Sequence, residues 1–230
     1  MVRYRRYPFE DLQPPNAPAT LPAAALPFVQ QLRLHLTTET PGMHRPPFAA
    51  VLHDDATVCW LDAKNDRLMT TAPAPVALTL LRQLLSKAPP PLRLAPVSEE
   101  AFVQKAFVSS NIPLRPTLWD IGLQTAGQGR LIEPLPMEAR LRLRRWPDFR
   151  ILAHRPDHFR ICALLIKQGA SVEACCQILD MQAHTVQAFF NAAFLTAYAF
   201  PVMGEEVPVR PSPTDSLANL WRQLRIRWSA

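Results

Sequence analysis

The stretch Ser171–Phe190, SVEACCQILDMQAHTVQAFF, decides how the second half of the chain is read. Ser171 has the hydroxyl of a helix N-cap, and Glu173 stands in the first turn, where the helix dipole favours a carboxylate. The spacing predicts a helix over Val172–Leu179, a short turn over Asp180–Gln182, and a long helix from Ala183 or His184 to about Tyr198. Asp180 occupies a turn position that usually prefers Gly, and Asp tolerates the left-handed conformation needed there. Val172, Cys175 or Cys176, Ile178, Leu179, Val186, Phe189 and Phe190 fall where the two helices would pack.

A third helix is expected just upstream. Phe159–Gln168, FRICALLIKQ, places Phe159, Cys162, Ala163 and Ile166 on one stripe, and Gly169 is a natural stop. Over Phe159–Tyr198 the pattern resembles the helix-turn-helix core of winged-helix domains. That resemblance implies a second helix whose early residues read base edges in the major groove, here Gln182, His184, Thr185 and Gln187. Affinity for DNA comes mainly from cations on phosphates, yet no Lys or Arg lies between Gln182 and Tyr198. Folds of this kind also hold proteins. Phe189, Phe190, Phe194 and Tyr198 make the helix apolar on more than one side, and most of these rings are expected in the core. Gln182, His184, Thr185, Gln187 and Phe190 are therefore read as a partner-docking set.

The basic charge lies elsewhere. Glu138–Arg160 holds seven Arg against three acids, a net of +4 beside the whole chain's +6. Leu141 and Leu143 alternate with Arg140, Arg142 and Arg144, which suggests a strand or extended arm with one basic face. Its plainest role is a solvated sheet edge. The alternative is an anion-binding set of Arg140, Arg142, Arg144 and Arg145, with Trp146 available for stacking on a nucleotide or an acidic partner.

The first half reads as mixed. Leu32–Thr38, LRLHLTT, alternates like a half-buried strand with Leu32, Leu34 and Leu36 inward. Phe48–His53, Thr57–Leu61 and Arg67–Thr71 are further strand candidates, separated by Asp54–Asp55 and Lys64–Asp66. Val76–Ser86 is a helix candidate with Val76, Leu80, Leu81 and Leu84 on its stripe, stopped by Pro89–Pro91. Leu92–Leu94 is a short strand. Ser98 caps a helix that carries Phe102, Ala106 and Phe107 inward. Thr117–Ala126, ended by Gly127 and Gly129, is the next helix, with Leu118, Trp119, Ile121, Gly122 and Leu123 as its apolar surface.

Proline marks the boundaries. With 25 Pro and 6 Gly, connections rely on fixed φ rather than positive-φ turns, and the Pro residues cluster. The chain divides into a Pro-rich N-terminal arm (1–30), an α+β domain (31–112), a mainly helical winged-helix-like domain (113–204), and a linker with a C-terminal helix (205–230). In that last helix Leu217, Leu220, Trp221, Leu224 and Trp228 form one stripe. Four Arg against one Asp give Arg210–Ala230 a net of +3. A helix this short must lean on its own domain, a partner groove or an anionic membrane surface. Trp221, Leu224 and Trp228 join the docking set.

Composition and motifs restrict function further. Apolar residues make up 48% and charged residues 19%, which favours a folded globular protein. No run reaches a membrane span and the N-terminus lacks a signal-peptide core, so a bacterial cytoplasmic location is expected. The four Cys follow neither a disulfide framework nor zinc spacing, and reduced, buried thiols are expected. No phosphate loop, dinucleotide fingerprint, nucleophile elbow or zinc-protease motif occurs. The chain reads as a non-enzymatic protein–protein adaptor or regulatory subunit without a cofactor or metal. Its alternatives are a DNA-binding regulator and a sensor of an anionic nucleotide.

Overall fold

The computed structural model describes residues 26–37, 47–70, 72–87, 90–106, 110–125 and 129–202. The arm up to residue 25 and the tail with Trp221, Leu224 and Trp228 lie outside the described residues. The architecture is α+β. Helix α1 (Phe28–Leu36) comes first, followed by a meander of β1 (Phe48–His53), β2 (Ala56–Asp62) and β3 (Arg67–Thr70). Both hairpin turns rely on Asp in the left-handed region: Asp54 and Asp55 have φ of 48° and 62°, and Asp66 has 54°. The Asp62 carboxylate fastens the second turn, accepting from the backbone N–H of Asn65 at 3.0 Å and from its side-chain amide at 2.7 Å.

The chain then crosses to each sheet edge. Helix α2 (Ala74–Leu85) leads to β4 (Arg93–Pro96) beside β1, and α3 (Glu99–Ala106) leads to β5 (Ser110–Pro113) beside β3. The five-stranded sheet has the order β4-β1-β2-β3-β5 with every pair antiparallel. Successive side chains face opposite sides of a strand. Val51, Cys59, Leu61 and Leu68 therefore enter the main core, while Ala50, Trp60 and Met69 meet Phe102 of α3 on the other face. The Phe102 ring stacks on Phe48 at 4.3 Å. Ser98 caps α3 as expected, its Oγ accepting from the Ala101 N–H at 3.3 Å.

Helix α4 (Leu114–Thr125) precedes a long connection to β6 (Leu141–Leu143), followed by α5 (Pro156–Lys167), α6 (Val172–Leu179), α7 (Ala183–Leu195) and β7 (Ala199–Pro201). The α6–α7 region follows its residues closely. Ser171 Oγ accepts from the Ala174 N–H at 3.1 Å, and Asp180 adopts φ 51°. After α7, Ala197 turns the chain at φ 62° and β7 pairs antiparallel with β6. Helix α7 is the axis of the molecule: Val186, Phe189, Phe190, Ala192, Ala193 and Leu195 are fully buried. Helix α4 lies so close that a Cβ on Gly122 would collide with the Ala192 backbone. One hydrophobic core runs from Phe28 to Ala199, joining residues on both sides of position 112.

Several expectations give way. Of the expected strand Leu32–Thr38, Leu32–Leu36 is helical, because Phe28, Val29, Leu32 and Leu36 form a longer 3.6-residue stripe that outweighs the brief alternation, and Leu34 is only half buried; Thr38 lies outside the described residues. On α2 the inward residues are Ala77, Leu81, Leu84 and Leu85, whereas Val76 and Leu80 are exposed. Helix α4 starts three residues early, since Pro116 in its first turn lacks an N–H that would have no partner there anyway. The stripe on α5 is His158, Ile161, Cys162 and Leu165, one residue out of phase with expectation. His158 looks polar in sequence, but its ring packs between Trp119 and Phe189, at centroid distances of 6.3 and 5.5 Å.

Candidate functional site

The docking set expected on α7 is split by the fold. Gln182 and His184 are exposed, Thr185 is half buried, Gln187 is buried and Phe190 has no exposed surface. The reading of Gln187 and Phe190 as partner contacts is thereby corrected: both face inward, because the apolar residues that follow Thr185 pack α7 against α4 and α6. The exposed residues of α7 are in its first turn, with Ala188 half buried beyond it.

The basic set is likewise divided. Arg140 donates from Nη2 to the Gly169 carbonyl at 2.9 Å, which ties β6 to the end of α5. Arg142 is half buried opposite Phe200 in the β6–β7 pair. Arg144 and Arg145 are exposed, and their guanidiniums lie 5.1 and 5.3 Å from the Phe200 and Tyr198 ring centroids. Contacts of this geometry hold the cationic stems against the surface while the charge stays in water.

Beside them lies an aromatic surface that sequence spacing did not find. Trp146 is 46% exposed, Ile151 56% and Phe159 42%. Phe149 sits among them, its ring 4.9 Å from Phe159, with Trp146 at 6.4 Å from Phe159. The patch rests on a rigid base. Trp119 is fully buried, donates from Nε1 to the Ala153 carbonyl at 2.7 Å, and meets Phe149 edge-on at 6.1 Å. Arg150 is pinned across Asp148 by two hydrogen bonds of 2.8 and 2.7 Å, and this hydrogen bonding holds the Asp148 carboxyl down to about 2. Arg144, Arg145, Arg150 and Arg160 are neighbours in sequence of these exposed rings. The signal in sequence was WPDFRI at Trp146–Ile151, whose apolar residues alternate with Asp and Arg without a helical stripe.

Two further features are internal. Arg33 of α1 is buried, donates to the carbonyls of Phe194 and Ala199 (the latter at 2.7 Å), and lies 3.7 Å over the Phe194 ring. Burial, with Arg144 adding repulsion, lowers its pKa to about 9. The Cys59 and Cys162 thiols are buried and pushed up to about 12, which makes them apolar fillers rather than nucleophiles. Among the described residues no helix is long and apolar enough to cross a membrane. No family model, curated protein or solved structure matches the chain.

Proposed function

We propose that the chain is a non-enzymatic adaptor or regulatory subunit that docks an acidic protein partner on the Trp146–Phe159 surface. The observation that carries this reading is the exposure of Trp146, Ile151 and Phe159 on segments that also carry the exposed Arg144, Arg145, Arg150 and Arg160. Trp and Arg dominate the energetic centres of protein interfaces, and a large ring left in water gains most when a partner covers it. The β6–β7 pair beside α5, α6 and α7 supports a winged-helix-like reading of this half, with the docking surface displaced from the recognition helix to β6 and α5. The buried thiols of Cys59 and Cys162 fit a reducing compartment such as the cytoplasm.

Native lysate passed over the immobilised protein should yield a retained partner that is released by about 0.5 M salt, where surface charges are screened. Trp146→Ala and Phe159→Asp should each weaken retention at least about tenfold, or about 1.4 kcal/mol. Their melting temperatures should stay close to that of the parent, since both side chains are largely outside the core. Equal retention by parent and variants would overturn the assignment. The DNA-binding reading keeps the exposed Gln182 and His184 at the α7 start, and it predicts duplex DNA retention that falls steeply with salt.

A further inference from the structure

A second site lies apart from Trp146. Helix α4, the 153–155 segment and the first turns of α5 and α7 border an open cleft of about 820 Å³, lined by Asp120, His154, Arg155, His158, His184 and Thr185. That volume is in the range of cavities that enclose whole small molecules, and far larger than a bare anion needs.

Its polar groups are arranged before any ligand arrives. The Arg155 backbone N–H donates to Nδ1 of His158 at 3.4 Å, so the proton of the neutral ring sits on Nε2. Burial, reinforced by the nearby Arg155 charge, lowers the His158 pKa to about 4, and the ring remains a neutral donor at pH 7. Only 3% of the residue is exposed, and what is exposed lies on the cleft wall. His154 has the opposite tautomer: its Nδ1–H donates to the Leu152 carbonyl at 3.0 Å, leaving the Nε2 lone pair as an acceptor.

The charge of the cleft is set by two elements. Helix α7 starts at Ala183 with no side-chain cap and no acid in its first turn. The Thr185 N–H already donates to the Gln182 carbonyl at 3.1 Å, and the positive end of the helix dipole lies where His184 and Thr185 line the wall. Arg155 adds a full cation. Asp120 is the one carboxyl on the wall, and burial raises its pKa against the pull of Arg82. Among the described residues no three His, Cys, Asp or Glu side chains gather as metal ligands, so the histidines act here as hydrogen-bonding groups.

We propose that this cleft binds a phosphorylated small molecule of about mononucleotide size. Its phosphate would sit between the α7 N-terminus and Arg155, and a polar atom of its body would accept from His158 Nε2–H. An anion with several oxygens matches donors that converge from a helix terminus and a guanidinium.

The test uses the full chain, with titration calorimetry and thermal shift against AMP, GMP, glucose 6-phosphate, inorganic phosphate and adenosine. At least one of the three organic phosphates should bind with a Kd below about 1 mM, with inorganic phosphate and adenosine at least about tenfold weaker. Thr185→Glu puts an acid at a helix position that favours it, so the fold should be kept or stabilised while phosphate binding falls at least about tenfold. His158→Gln should weaken the organic phosphates and leave inorganic phosphate unchanged. No response to any organic phosphate would overturn the proposal. So would equal binding of adenosine and AMP, equal binding of inorganic phosphate and AMP, or binding that Thr185→Glu leaves intact. Trp146 is not among the residues that line the cleft, so partner retention in the Thr185→Glu variant separates failure of the cleft from failure of the docking surface.

Discussion

Arg33 and His158 are two polar side chains that the core uses without exposing them. Arg33 supplies donors to two carbonyls near the end of α7 and the start of β7, where the helix dipole favours a cation. Arg33→Met keeps much of the apolar stem but removes both donations, and should cost about 2 kcal/mol in urea unfolding. His158 acts in the other direction. Its folded pKa of about 4 lies below the ordinary value of 6.5, so between these values the unfolded chain holds more protons than the folded one. Its contribution is therefore complete above pH 6.5 and is lost as pH falls toward 4. Unfolding measured at pH 7 and pH 4.5 should show the parent losing stability, and His158→Gln losing distinctly less. An identical loss in both would show that the ring protonates freely in the folded state.

The α4–α7 contact is set by the smallest residue available. Gly122 has no room for a Cβ because the Ala192 backbone fills it, whereas Gly129 has open space but a φ of 67°. The same substitution should therefore fail for different reasons. Gly122→Ala forces two packed helices apart and should cost about 3 kcal/mol. Gly129→Ala only places a Cβ in the left-handed region, and should cost about 1 kcal/mol. Thermal unfolding of the pair would rank them, and a Gly129 variant as unstable as the Gly122 one would contradict the packing account. A further clamp joins α7 to the connection after α4. Asn191 Oδ1 accepts from the Ile132 N–H at 2.8 Å, and its amide donates to the Arg130 carbonyl at 3.2 Å.

At the scale of the molecule, α7 is the element around which α1, α4, α5, α6 and β7 assemble, and this governs what a mutation there means. Phe190 is fully buried, so Phe190→Asp would bury an unpaired carboxylate and remove a ring from the core. It should abolish folding, with a loss above about 4 kcal/mol, visible as collapse of the near-ultraviolet circular dichroism. A folded Phe190→Asp protein would restore that ring to a docking surface.

Local chemistry was legible wherever a residue's own conformational preference decided the outcome. Ser171, Glu173 and Asp180 determined the α6 cap and the turn before α7, the Asp pairs determined the hairpins, and Ser98 determined the start of α3. Short apolar runs between Asp-bearing turns located β1, β2 and β3, and the absence of Lys and Arg showed that α7 would bring no phosphate clamp. What tertiary structure decided were matters of contact between distant segments. It made Leu32–Leu36 part of a helix, turned α5 by one residue so that His158 went in and Phe159 came out, and sent Phe190 into the core. It also gathered Asp120, Arg155, His158 and Thr185 around one cleft. The physical reason is that caps and turns depend on a few bonds within one stretch of chain. Burial of an amphipathic ring depends on which neighbours arrive to cover it, and those neighbours are set by packing rather than by adjacent sequence.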